Sequence, residues 1–251
     1  DETPLTAAEL AALVGAHPEA LARVLRLLSG YGVFESSDGK FRHSPASRML
    51  RVDHPHSMRD FVRMFGLPPF WATLGEMEQS VRTGLPAGEK VIAGGLWAYF
   101  AEHADANAIF NAAMGSKAQA HIAGVLAAYD FSQFKVIGDI GGGRGHLLNA
   151  VLERVPTLNG VLFDLPHVVA DKTGADSPRM TRQAGDFFKD KLPVCDAYLV
   201  MEIIHDWSDT ESIEILKAIR QVAPSNATLL LIEEMIPDDP GPAWSKMLDI
   251  H

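Results

Sequence analysis

Cysteine is nearly absent. Cys195 is the single thiol in 251 residues, which excludes an internal disulfide framework and a cysteine-rich zinc site and fits a reducing compartment. No apolar run approaches the ~18 to 20 consecutive residues of a membrane span, and the N-terminus lacks the basic-then-apolar pattern of a signal peptide. Internal repeats and low-complexity tracts are missing too. Together these absences lead us to expect a cytoplasmic protein with no membrane contact. An excess of positive charge is also lacking: the formal net charge is -10. Residues 1 to 100 hold eleven acidic and ten basic side chains, and residues 101 to 251 hold twenty-one and twelve. A surface of that sign repels phosphate backbones, so a neutral or cationic ligand fits the second half better than a nucleic acid. The composition, 47% hydrophobic and 22% charged, is ordinary for a globular chain and sufficient for one large domain or two modest ones.

Thr6 followed by Glu9 reads as a capping box that opens a helix through Val14, ended by Gly15. A second helix begins at Pro18, with Leu21, Val24, Leu25 and Leu28 on one face. Gly30 and Gly32 close it. The segments VFES and KFRHS then flank Asp38-Gly39, a strong hairpin signal. Helix, turn, helix, hairpin is the order of a winged helix. Residues 54 to 102 continue as helices with a break at Pro68-Pro69, and helical periodicity runs on to about Tyr129. Beyond it, KVIGDIG, LNGVLFDLP, CDAYLVMEII and NATLLLIEEMI are short apolar runs separated by helical stretches. That alternation predicts right-handed crossovers and a doubly wound parallel sheet. Both ends read as interruptions, because DETPLTAAEL begins almost directly with a helix signal and WSKMLDIH stops inside an apolar pattern. The expectation is that part of the fold lies outside this sequence.

The stretch DIGGGRG places Gly141, Gly142, Gly143 and Gly145 between a strand and a helix, with Asp139 just before them. In open α/β sheets the first such turn lacks side chains so that a ligand approaches the backbone closely. A dinucleotide fingerprint is G-x-G-x-x-G, whereas here the order is G-x-G-x-G. Asp164, at the end of the next strand, serves a ribose hydroxyl in either reading. Further along, Asp186 offers a carboxylate to an exocyclic amine and Phe187 an aromatic face to adenine. His205, Asp206 and Trp207 follow another strand. Arg144 is the only basic residue in the glycine turn, and acids line its surroundings. A cationic sulfonium cofactor suits that setting better than a pyrophosphate.

In order and spacing, DIGGGRGHL, VLFDLPHVV, GDFF, IIHDWSD and EEMIP resemble the S-adenosylmethionine-dependent small-molecule O-methyltransferases, the family of plant caffeic acid and flavonoid methyltransferases, hydroxyindole methyltransferase and bacterial enzymes that tailor antibiotics and pigments. The resemblance covers essentially the whole chain. It implies a Rossmann-like α/β class I methyltransferase domain over residues 103–251, preceded over 1–102 by a mostly helical winged-helix domain for dimerisation and substrate lining. It also implies a homodimer, S-adenosylmethionine as cofactor, no metal, His205 as general base and Glu233 as its flanking acid. Cofactor contacts are implied for Asp139, Gly141, Gly143, Gly145, Asp164, Leu165, Asp186, Phe187, Asp206 and Trp207, and acceptor contacts for Phe110 and Met114. Two departures stand out. Met201 and Glu202 occupy places where plant enzymes often carry lysine and tryptophan, and a family GG-basic-E-R-T segment with a second acid does not occur before His251.

The function expected is methyl transfer to a hydroxyl of a small aromatic metabolite. Nitrogen methylation, or a non-methylating reaction on the same scaffold, is the alternative. A winged-helix DNA-binding regulator is disfavoured because residues 1 to 52 hold six acidic and six basic side chains, where a DNA reader is basic. An NAD-dependent oxidoreductase is disfavoured by the glycine spacing. His54 and His56 flank Pro55 in a loop and give no metal geometry.

Overall fold

A computed structural model describes residues 3–171 and 177–249 of the chain. The final two residues of the WSKMLDIH pattern lie outside this range. By contacts the chain divides into compact units of residues 1–62 and 63–251.

The first unit opens with β1 (Leu5–Thr6), then α1 (Ala7–Val14) and α2 (Pro18–Gly30). Thr6 Oγ1 accepts the Glu9 N–H while the Glu9 carboxylate accepts the Thr6 N–H, which closes the expected capping box. The hairpin pairs β2 (Phe34–Ser37) with β3 (Lys40–His43) in antiparallel register. Asp38 and Gly39 sit at φ 53° and 74°, the left-handed pair that a two-residue turn requires to match strand twist. β1 pairs with the other edge of β3, giving the sheet order β1-β3-β2. A short α3 (Pro45–Arg48) follows, and α4 (Arg59–Phe65) runs across the division between the units.

In the second unit the helices α5 (Pro68–Gly75), α6 (Met77–Thr83), α7 (Gly88–Val91) and α8 (Gly95–Glu102) precede the 25-residue α9 (Ala104–Ala128). Pro68 opens α5 at its first position, where the missing N–H costs no intrahelical bond. The family resemblance implies a domain boundary between 102 and 103. Across that point the Phe110 ring packs on Trp97 and Phe100, with centroids 5.6 and 4.5 Å away, so α8 and α9 share one aromatic cluster.

Five strands then form the parallel sheet: β4 (Val136–Ile140), β5 (Asn159–Asp164), β6 (Met180–Ala184), β7 (Ala197–Met201) and β8 (Thr228–Ile232), in the order β6-β5-β4-β7-β8. The crossovers include α10 (His146–Arg154), α11 (Pro166–Val169) and α12 (Asp209–Val222), and α13 (Trp244–Leu248) follows β8. One face buries Ile137, Leu162, Leu199, Leu148 and Leu152; the other buries Ile140, Phe163, Tyr198, Val200 and Ile215. The strand β8 departs from the fully apolar expectation: at the sheet edge its Leu229 and Leu231 are exposed.

Strand order reverses between β4 and β7, so the carboxyl end of β4 opens on a crevice beside the glycine turn. Beneath the turn, a Cβ at Gly142 would stand 2.5 Å from both Asp139 Oδ2 and Leu162 Cδ1. Neither neighbour has room to retreat, since Leu162 and Asp139 are both buried. Gly142→Ala is therefore expected to destabilise the fold by ~1–3 kcal/mol through overpacking, measured as a lowered midpoint of urea unfolding; an unchanged midpoint would refute the close packing.

Candidate functional site

All the site residues belong to the second unit. Gly141, Gly143 and Gly145 have φ of 72°, 59° and 80°, values that bring the backbone of the turn over the end of β4. A Cβ at Gly143 would meet nothing within 4 Å, so this residue presents bare main chain to open space. Its N–H donates to Asp164 Oδ2 at 2.8 Å, and the Leu165 N–H donates to Asp164 Oδ1 at 2.7 Å. Asp164 is thus tied to the glycine turn and does not cap α11, whose N-cap is Leu165 without a side-chain bond. Each carboxylate oxygen retains lone-pair capacity for a hydroxyl donor.

Asp139 lies under the turn, buried, with no partner for Oδ2 among the described residues. Burial first, and then the nearby Asp164 charge, push its carboxyl up to about 7. Burial also raises Asp164. Arg144 does not offset these acids directly, because it forms a 2.8 Å ion pair with Asp171. The rim of the turn is therefore rich in carboxyl groups and poor in available cations, the reverse of a phosphate cradle.

At the end of β6, Phe187 meets Trp207 edge-on at 5.6 Å, and Phe188 meets Trp207 at 4.7 Å. Asp186 spends its oxygens locally, accepting the Phe188 N–H at 2.9 Å and pairing with Lys189 at 2.7 Å. Burial opposes its ionisation, yet the Lys189 and Phe188 bonds together hold the carboxyl below the ordinary range.

His205 lies in a single 3₁₀ turn, Ile204–Asp206, after β7. Its Nδ1 is 2.6 Å from Glu233 Oε2, at the end of the adjacent β8. The other Glu233 oxygen accepts the N–H groups of Ile203 and Ile204 at 3.1 and 2.9 Å. Burial works to raise Glu233, but these bonds outweigh it and hold the carboxyl below its usual value. An ionised carboxylate only accepts, so the proton sits on Nδ1 and Nε2 keeps its lone pair. The Glu233 bond in turn raises the His205 pKa above that of free imidazole. Asp206 Oδ1 is 3.5 Å from Nε2, and burial pushes that carboxyl up to about 6. The neighbouring Glu234 is exposed.

Phe110 and Met114 are half-buried on α9, with Phe110 held by Trp97 and Phe100. Two further residues contact this neighbourhood without any motif to mark them: Trp97 packs on Phe110, and Lys117 pairs with Glu202. Lys117 continues the 110, 114, 117, 121 stripe of α9, and its Nζ lies 2.8 Å from Glu202 at the end of β7. Helical spacing from Phe110 is the one sequence signal for Lys117; its partner, 85 positions later, has none. Among the described residues no group of three or more His, Cys, Asp or Glu side chains could hold a metal ion, and no helix is long and apolar enough to cross a membrane.

Comparison with known proteins places this geometry. Residues 71–251 match the O-methyltransferase domain family, and residues 1–53 match the O-methyltransferase dimerisation domain. Phenazine O-methyltransferase PhzM of Lysobacter antibioticus is 38% identical over 258 residues, a match covering 100% of this chain and 75% of that protein. An 8-amino-8-demethylriboflavin N,N-dimethyltransferase of Streptomyces davaonensis is 38% identical, covering 93% of this chain and 70% of that one. Among solved structures, the S-adenosylhomocysteine-bound form of CalO1, a methyltransferase of calicheamicin biosynthesis, superposes with a TM-score of 0.80 at 34% identity, covering 98% of this chain and 75% of that one. The glycine turn at the strand-order switch, the acid-rich rim, the sequence match and the superposition agree: the chain belongs to the S-adenosylmethionine-dependent O-methyltransferase family.

Proposed function

We propose that the chain methylates a hydroxyl of a small aromatic or heteroaromatic secondary metabolite, with His205 as general base and Glu233 as the acid that orients it. The observation that carries this reading is the 2.6 Å contact between His205 Nδ1 and Glu233 Oε2, at strand ends neighbouring the glycine turn. It leaves Nε2 directed to whatever lies over the sheet edge. A phenol with a pKa of about 10 is mostly neutral at pH 7 and a poor nucleophile. An imidazole that takes its proton as the new bond forms contributes roughly 100- to 10,000-fold, and the Glu233 carboxylate stabilises the imidazolium that results.

The residues of the crevice fit the cofactor. When bound, S-adenosylmethionine supplies an electrophilic methyl group on a cationic sulfonium. In this reading the bare backbone at Gly141, Gly143 and Gly145 admits its amino-acid end, and the unpartnered Oδ2 of Asp139 gives the turn an acidic floor. Asp164 and Leu165 at the end of β5 take the ribose hydroxyls. Phe187 and Trp207 border the adenine, with Asp186 and Asp206 at its polar edge. Phe110 and Met114 line the acceptor side. No metal enters this scheme, since the proton goes to His205. The match of residues 1–53 to a dimerisation domain supports a homodimer, and a cytoplasmic location remains our reading of the composition.

A second reading, transfer to nitrogen, draws on the 38% identity to an N,N-dimethyltransferase. A screen of phenols, hydroxyphenazines and aromatic amines with methyl-labelled S-adenosylmethionine, followed by mass analysis of the product, separates the two.

Three outcomes are expected. His205→Ala lowers turnover at least about 100-fold while S-adenosylhomocysteine affinity by calorimetry is kept; undiminished turnover would remove the imidazole from the mechanism. Because the Glu233 bond raises the His205 pKa, activity in wild type increases with pH through a midpoint above that of free imidazole. In Glu233→Gln this acid limb moves to lower pH and the plateau rate falls at least about ten-fold; a limb that stays in place contradicts the assignment. Asp164→Ala weakens S-adenosylhomocysteine binding by ~1.5–3 kcal/mol, the value of hydrogen bonds to a charged group, and equal affinities would take the carboxylate out of the cofactor site.

A further inference from the structure

Glu202 has φ 55°, one of two non-glycine residues among those described with positive φ. The left-handed region is disfavoured for a long side chain, and such a conformation persists only where surrounding contacts over-determine it. The contacts are specific. Its carboxylate oxygen lies 2.8 Å from Lys117 Nζ and 3.4 Å from His121 Nδ1, and the Lys117 and Glu202 side chains are 13% and 11% exposed. Lys117 and His121 are one turn apart on α9, below Phe110 and Met114 on the same stripe. Glu202 lies immediately after β7 and three positions before His205. Two opposite charges taken out of water hold their geometry strongly, because separating them would leave a buried charge unpaired.

We infer that the Lys117–Glu202 pair is a positioning clamp for methyl transfer, fixing the helix that carries Phe110 and Met114 to the strand end that carries His205. The inference rests on the proposed role of His205. It assigns Lys117 and Glu202 no contact with the acceptor; they act through the residues they hold. Glu233 from the end of β8 and Asp206 from its own turn contact the His205 ring, and the Lys117 charge on α9 acts on it through space, with Glu202 and His121 beside Lys117. Of these, the Lys117 ammonium opposes protonation of the imidazole, against Glu233 and Asp206, which favour it. The clamp therefore also keeps a cation where it helps hold the base in its neutral form.

The test uses the full chain saturated with S-adenosylhomocysteine. The His205 imidazole signal, identified by its loss in His205→Ala, is titrated by NMR in wild type and in Lys117→Met. Removal of the ammonium is expected to tighten proton binding at His205 at least about three-fold, read as a midpoint moved to higher pH. In parallel, 1-hydroxyphenazine is used as probe acceptor. Lys117→Met weakens its binding at least about ten-fold with S-adenosylhomocysteine affinity held within about two-fold. Glu202→Gly, which accepts φ 55° without strain but leaves the Lys117 ammonium unpaired, lowers thermal stability and shows the same acceptor defect. The double variant is no worse than either single one, because one interaction is lost in all three. Lys117→Arg, which retains the charge, regains part of the affinity.

An unmoved imidazole midpoint in folded Lys117→Met overturns the electrostatic role of Lys117; probe affinity unchanged in folded Lys117→Met, or defects of Lys117→Met and Glu202→Gly that multiply in the double variant, overturn the clamp. Full turnover in His205→Ala would overturn the role of the base instead; the coupling of Lys117 and Glu202 in probe binding would then still decide the clamp.

Discussion

All five strands of the large sheet run the same way, and the chain reverses its direction of growth across the sheet between β4 and β7. On that constraint the rest of the site depends. Parallel strands bring every carboxyl end to one edge, and the reversal leaves β4 and β7 without a helix bridging them directly above that edge. The glycine turn follows β4, Asp164 ends β5, Asp186 follows β6, His205 follows β7 and Glu233 follows β8. Five strand ends, joined by four crossovers, thus bring five chemical groups to one edge of the sheet. The buried apolar residues on the two faces of the sheet hold the strands in register, so the stability of the core and the precision of the site come from the same packing.

Carboxyl groups dominate this edge, and their surroundings give them different states. Asp139, buried beneath the turn, is raised to about 7, and Asp206 to about 6. Glu233, bonded by His205 and two backbone N–H groups, is held below its ordinary value. The acids of this rim therefore differ in proton affinity: Asp139 and Asp206 hold a proton more readily than an ordinary carboxyl, and Glu233 less readily. Arg144 is occupied by Asp171 and Lys117 by Glu202, so neither basic side chain is directed to a phosphate. The electrostatics therefore separate a sulfonium site from a dinucleotide site more sharply than glycine spacing does.

The parts of this arrangement legible in the sequence are those written in local chemistry. The Thr6–Glu9 box, the Asp38-Gly39 turn and the glycine run after β4 each need particular residue types at fixed offsets, and each lies where those offsets place it. The strand-ending acids and His205 follow from the alternation of apolar runs and helices. Other features carry no such signature. The two-residue β1 is defined only by its pairing with β3. The left-handed Glu202 pairs with Lys117, far away in the chain, and nothing in its sequence neighbours announces the conformation. Burial is equally non-local: LLLI in β8 resembles the other apolar runs, but Leu230 and Ile232 pack on the core while Leu229 and Leu231, on the opposite face, are exposed. The aromatic cluster of Trp97, Phe100 and Phe110 joins helices on either side of the domain boundary that the family resemblance implies.

The pairing of His205 and Glu233 across two strands, and not within one loop, has a mechanical consequence. β7 and β8 are aligned with Met201 opposite Ile232, so the residues that follow each strand leave the sheet side by side. Glu202 donates its N–H to the Ile232 carbonyl and extends that register by one step. From there Glu233 reaches back to the N–H groups of Ile203 and Ile204 with one oxygen and to the imidazole with the other. A carboxylate fixed by two main-chain donors has little rotational freedom left, and the ring it holds inherits that restriction. The orientation of Nε2 is therefore set by sheet register and backbone hydrogen bonds, with the side chains of the 3₁₀ turn supplying only the final link. The His205 ring itself keeps 43% of its side-chain surface exposed, while the Glu233 carboxylate that holds it is only 21% exposed.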